Sequence, residues 1–155
     1  MIDRRIQFDK DKQSLIELLC SGEEHKKVFS SMADCLSFAA AYGFFHNERK
    51  KIEKASSNPI KFNVFENSSH DTLVYLLAMK DEKDAHILAE GDDNVNKRAT
   101  IFEEYANGGL ERLSRELAGT LESLDHFLLI INKELLFKNN SQDGSDSFNL
   151  GDLEI

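Results

Sequence analysis

Five histidines, two cysteines and one Glu-Arg-Lys triplet are the residues of this chain best suited to chemistry, and their spacing decides which chemistry. His25, His46, His70, His86 and His126 are scattered. No two stand four apart and none sits in an HExxH frame, so the helix-borne pair of a zinc hydrolase is missing. A lone histidine more often serves a surface or a helix cap, and His70-Asp71 reads as a cap neighbourhood. Cys20 and Cys35 make no CxxC pair, which predicts reduced, buried thiols. No P-loop, GxGxxG or GxSxG run occurs. Glu48-Arg49-Lys50 fits the ExK of a metal nuclease, with Asp34 upstream as the second carboxylate. That chemistry needs two adjacent strands, whereas Asp34 falls in a helical pattern. The residues therefore predict no enzyme, no metal and no cofactor.

Two other constellations stand out. Between positions 47 and 62, Arg49, Lys50, Lys51, Lys54 and Lys61 face only Glu48 and Glu53. On a protruding hairpin these five could touch phosphates, with Phe62 or Phe65 stacking on a base. A solvated loop is the weightier reading, because charge runs are usually just wet. The densest local signal is Ile101-Phe102-Glu103-Glu104-Tyr105-Ala106-Asn107-Gly108-Gly109-Leu110-Glu111. Asn107 and Gly108 both tolerate a left-handed backbone, and Gly109 lets the chain turn, so a helix-helix corner is expected here. An anion site at the fresh helix end is disfavoured by the crowding of Glu103, Glu104 and Glu111.

The elements that must position these residues follow from periodicity. Residues 11–20 place Leu15, Ile16, Leu18 and Leu19 on a helical stripe, ending before Gly22. Residues 29–42 predict a central helix, capped by Ser31 with Asp34 three residues on and closed by Gly43. Its Ala39-Ala40-Ala41 run would let another helix approach closely. From 44 to 65 the period breaks: Ser56-Ser57-Asn58-Pro59 is turn chemistry, and Ile60, Phe62 and Val64 alternate with polar residues. A short β-hairpin is expected there. Further helices are expected over 69–79 (capped by Ser68 or Ser69, with Leu73, Leu76 and Leu77 inward), 81–90, 94–106, 110–117 and 121–137. The last is apolar on nearly all sides, so it should be buried in this core or against a second copy.

The chain has 155 residues, 41% of them hydrophobic, with a single proline and eight glycines. Long helices suit that sparse punctuation better than many short strands. The fold class expected is mainly α: one compact domain of six to seven helices over 1–138, with a short hairpin around 44–65. Residues 139–155 hold no Lys or Arg, four acids, and Ser, Asn and Gly, which predicts a disordered acidic tail. Its end nevertheless spaces Phe148, Leu150, Leu153 and Ile155 among acids, as a segment that docks on a partner would. The formal charge of -9 disfavours a general DNA binder. The run from Phe127 to Ile131 is the longest unbroken apolar stretch, far too short to span a bilayer, and Met1-Ile-Asp-Arg-Arg makes no apolar leader. A cytoplasmic protein with no membrane contact is expected.

The stretch Ile101 to Leu110 resembles the fourth Dnd system-associated protein, a bacterial family found alongside DNA phosphorothioation genes. Phe29 to Phe44 (FSSMADCLSFAAAYGF) and Pro59-Ile60 followed by Val64-Phe65 support the resemblance, which covers most of 4–137. The chain departs from the family pattern at His46-Asn47-Glu48, where Gly-containing hairpin residues are expected, and in its long tail. The resemblance implies a part in a phage-defence or restriction locus and transfers no catalytic residues. A non-enzymatic accessory subunit, binding other proteins of such a locus, is the leading expectation, with a second copy of itself as a further candidate partner. The alternative is a small DNA-binding regulator using the Arg49–Lys61 loop, or residues 110–128, which loosely resemble a helix-turn-helix. Glu111, Glu116 and Glu122 suit a recognition helix poorly.

Overall fold

Two helices carry the centre of the molecule, and they meet where their side chains are smallest. The structure, a computed structural model, describes residues 3–23, 27–118 and 123–142, with side chains of the last helix from 124 to 136. Helix α1 is Gln13–Cys20, α2 Met32–Phe45, α3 Phe62–Asn67, α4 Asp71–Glu82, α5 Asp92–Leu117 and α6 Ser123–Gln142; strands β1 (Arg5–Ile6) and β2 (Ile60–Lys61) complete the set. The fold is mainly helical, as expected.

Ser31 caps α2 as its spacing predicts, its Oγ accepting the Asp34 N–H at 3.1 Å. Ala33, Ala39 and Ala40 are buried along this helix, and α5 packs across them. At the crossing, a Cβ on Gly109 would collide with the carbonyl oxygen of Ala39, and one on Gly43 with that of Tyr105. The backbones touch. Gly43 is therefore an interior residue of α2 rather than its cap, and the helix runs on to Phe45.

The corner expected at Asn107-Gly108-Gly109 is absent. Helix α5 passes through all three residues without a break for 26 residues. Two glycines inside a helix cost about 1 kcal/mol each relative to alanine. Contact between two backbones, which no larger residue would allow, offsets that cost. Asp92 and Asp93 stand in the first turn of α5, where the positive helix end favours them.

The sheet also differs from expectation. β2 pairs antiparallel with the distant β1 (Arg5 opposite Lys61, Ile6 opposite Ile60), so 44–65 contains no local hairpin. An isolated bridge, Asp9 to Ala55, continues the pairing. The alternation after Ile60 is likewise not a strand: residues 62–67 form α3, with Phe62 and Phe65 on the inner side three residues apart and Val64 outside.

Helix α4 starts at Asp71 with no side-chain cap from Ser68 or Ser69, and ends at Lys83 in a left-handed conformation (φ 54°). Val74, Leu77 and Ala78 face inward, whereas Leu76 points to solvent. The helix expected over 81–90 is only a 3-10 turn, Ala85–Leu88. In α1, Ile16 and Leu19 are buried and Leu18 is exposed.

Helix α6 docks through Phe127 and Ile130, with Phe127 edge-on to Phe38 at 5.1 Å and to Phe29 at 5.5 Å between ring centres. The helix is not enclosed by this chain: Leu128, Leu129, Leu135 and Leu136 are 50–64% exposed. It runs to Gln142, four residues past the expected boundary at Lys138. Among the described residues no helix is long and apolar enough to cross a membrane.

Candidate functional site

The motif residues of α5 face an irregular ribbon, residues 48–54, that links α2 to β2. Gly108 makes the contact feasible, since a Cβ there would run into the carbonyl oxygen of Glu48. One turn earlier, the Glu104 carbonyl accepts the Lys50 N–H at 3.0 Å. The ribbon thus lies directly on the helix backbone.

Asn107, fully buried, pins it. Its amide Nδ2 donates to Asp9 Oδ2 at 2.8 Å and reaches the Lys50 and Lys51 carbonyls at 3.3 Å. Asp9 Oδ1 in turn accepts the N–H groups of Glu53 (2.7 Å) and Lys54 (2.9 Å). Burial opposes the charge on Asp9, but hydrogen bonds from Asn107, Lys54 and Glu53, with Lys50 nearby, outweigh it and hold the carboxyl below its usual range. Asn107 and Asp9 form the pin of a clasp.

Glu103 extends the clasp to the N-terminal strand, accepting the Gln7 N–H (2.7 Å) and Arg4 Nη2 (2.9 Å). Burial pushes this carboxyl above its ordinary value, against the pull of Gln7 and Arg4. Glu104 holds Arg49 Nε at 2.5 Å, and Asp81 of α4 holds Arg49 Nη1 at 2.6 Å. Tyr105 donates its hydroxyl to Asp81 at 2.7 Å, and the Arg49 guanidinium lies 5.4 Å from the centre of its ring. Glu103, Glu104, Tyr105, Asn107, Gly108 and Gly109 therefore converge, and their partners lie within the fold.

The basic residues divide. Arg49 is committed to Glu104 and Asp81, and Lys50 lies 3.5 Å from Glu111, which also pairs with Lys12. Lys51, Lys54 and Lys61 are exposed, with no side-chain ion pair among the described residues. Beside them, a shallow cavity of about 590 Å³ is lined by Lys10, Lys50 and Lys54 but also by Asp9, Asp11 and Glu53. Three carboxylates against three amines give a phosphate little net attraction.

The nuclease fragment does not assemble. Asp34 sits in the first turn of α2, paired with His70 at 2.6 Å, and Glu48 lies past the helix's other end, about 16 Å of helix rise away. Glu48 instead pairs with Arg112 (2.8 Å) and Arg115 (2.9 Å).

A second polar network, between α2, α5 and α6, escaped the sequence reading. Tyr42 donates to Glu116 at 2.8 Å, Arg112 Nε lies 2.9 Å from Glu116, and His46 Nε2 lies 3.1 Å from Glu134. His126 meets the Glu116 carbonyl at 3.0 Å. Burial pushes the Tyr42 phenol well above its ordinary range. His46, Arg112, Glu116, His126 and Glu134 line a cavity of about 440 Å³ with Lys133. Only the i,i+4 pair Arg112–Glu116 left a sequence signal. Among the described residues no group of three or more His, Cys, Asp or Glu could hold a metal ion. Cys20 and Cys35 are free thiols, Cys35 buried and Cys20 half-buried. The docking candidates Phe148, Leu150, Leu153 and Ile155, and also His25, lie outside the described residues.

No curated protein and no solved structure matches this chain. The sequence model of the family described as DNA sulphur modification system-associated protein 4 matches residues 5–152. A match over nearly the whole chain, clasp motif included, makes this protein a member of the DNA sulphur modification system-associated protein 4 family.

Proposed function

We propose that the chain is a non-enzymatic adaptor subunit of a DNA sulphur modification system, working through protein-protein contacts in the restriction or phage-defence arm of such a locus. The observation that carries this reading is how the side chains are spent. Most groups equipped for chemistry (Asp9, Glu48, Arg49, Glu103, Glu104, Asn107) are bonded to partners within the fold, and they brace it. Facing outward, beside a few free lysines, is a row of four leucines on one helix, Leu128, Leu129, Leu135 and Leu136 of α6. Exposed apolar faces of this kind mark contact surfaces. Co-expression with the other proteins of the system tests it: the tagged chain should retain at least one of them, and Leu129→Glu should release it. Equal retention by both forms overturns the reading.

The DNA-binding alternative keeps one supporting observation, the unpaired lysines Lys51, Lys54 and Lys61. The helix-turn-helix version has less, because the outward face of α6 offers leucines where base edges call for Arg, Lys, Asn or Gln.

A further inference from the structure

The exposed face of α6 is self-complementary. Leu128 and Leu129 stand four and three residues before Asn132; Leu135 and Leu136 stand three and four residues after it. At 100° per residue all five share one stripe of the helix, and all five are exposed. The spacing reads the same from either end, with a polar amide at its centre. A twofold axis through Asn132 would set Leu128 against Leu136 of a second copy, Leu129 against Leu135, and amide against amide.

Self-complementarity of one patch is what an isologous contact requires. A central Asn in an otherwise apolar seam fixes register, since any slip leaves its amide unpaired among leucines. The same stripe carries Asp125 at one end only. Antiparallel helices place the two Asp125 carboxylates at opposite ends of the seam, whereas parallel helices would bring them together. Opposed helix dipoles favour the same arrangement.

We infer that α6 pairs antiparallel with α6 of a second copy, about a twofold axis at Asn132, and that the chain works as this homodimer. The inference rests on the proposed adaptor role and names the occupant of its contact face.

Light scattering on the full chain should report about twice 17.6 kDa at micromolar concentration. Leu129→Glu and Leu136→Glu should each halve that mass, with the helical circular dichroism unchanged because both side chains lie outside the core. Orientation is read by mixing. In a Cys20→Ser background, Leu128→Cys and Leu136→Cys proteins should cross-link with each other under mild oxidation, and neither with itself. Cross-linking of each with itself alone overturns the antiparallel pairing. A wild type that stays monomeric overturns the dimer. If Leu129→Glu then still loses a co-expressed protein of the system, the face serves that protein and the adaptor reading stands; if it loses nothing, both fall. A monomer that dimerises once residues 143–155 are removed assigns the face to the chain's own C-terminal segment and also overturns the inference.

Discussion

Ala39 and Gly109 meet backbone to backbone: a Cβ on residue 109 would stand 2.7 Å from the Ala39 carbonyl carbon, closer still to its oxygen, and 3.0 Å from the Gly43 nitrogen. Neither helix can yield, because the obstructing atoms are main chain. Gly109→Ala should therefore lower stability by about 3 kcal/mol, although it adds one methyl and improves helix propensity. For a domain of this size that is about 6–12 °C in thermal melts. Ser114→Ala, exposed on the same helix, should stay within about 0.5 kcal/mol. A Gly109→Ala protein that melts with the wild type would show that α2 and α5 are free to separate.

That contact also explains what the sequence could and could not say. The small-residue run of α2 announced a close helix neighbour, and the Ser31 cap and the apolar periods placed most helices. Asn107-Gly108-Gly109 misled because glycine serves two ends, conformational freedom and absence of bulk, and only the partner backbone decides between them. The clasp was legible as a dense motif but not as a clasp. Its other half, Asp9, lies 98 positions away in a run of charges with no period of its own. The sheet failed for the same reason: β2 finds β1 across 53 intervening residues, and local turn chemistry carries no trace of that.

Asn107 offers a cleaner test of the clasp than the glycines do. Asn107→Ala removes the donor to Asp9 and to the Lys50 and Lys51 carbonyls without adding bulk. Leaving those acceptors buried and unpaired should cost about 2–4 kcal/mol. Amide exchange should accelerate first at Glu53 and Lys54, whose N–H groups depend on the placement of Asp9. Uniform acceleration over the whole chain would mean that the ribbon does not open separately.

Acid should act through Asp9. Against the cost of burial, hydrogen bonds from Asn107, Lys54 and Glu53 hold its carboxyl below the ordinary aspartate range in the folded chain, so folding favours the charged form. The stability it supplies is complete above the unfolded value and is lost as pH falls through the folded one. Asp9→Asn should be less stable than wild type at neutral pH, and the gap should narrow below about pH 4. Glu103 has the opposite sign. Its raised folded pKa supplies stability that is fully present below the unfolded value and lost as pH rises through the folded one. Denaturant midpoints for Asp9→Asn and Glu103→Gln across pH 3–7 separate the two; a constant Asp9→Asn gap would remove the electrostatic part of the clasp.

The basic segment divides into residues that brace and residues that are free, and the two groups should respond oppositely to substitution. Arg49 bridges Glu104 of α5 and Asp81 of α4. Arg49→Ala should cost about 1–2 kcal/mol, held low because the side chain is 37% exposed and water screens the pairs. The side chains of Lys51, Lys54 and Lys61 make no ion pair among the described residues, so replacing all three with glutamine should leave the melt within about 0.5 kcal/mol. DNA affinity sorts them the other way. If these lysines touch phosphates, the triple variant must lose affinity, and its salt dependence must flatten by about 0.9 in log-log slope for each contact removed. An adaptor that works through protein contacts predicts something else: the wild type gives no salt-sensitive gel shift, and the triple variant retains the same protein partners. A steep salt slope in the wild type that flattens in the triple variant would transfer the function from α6 to the ribbon.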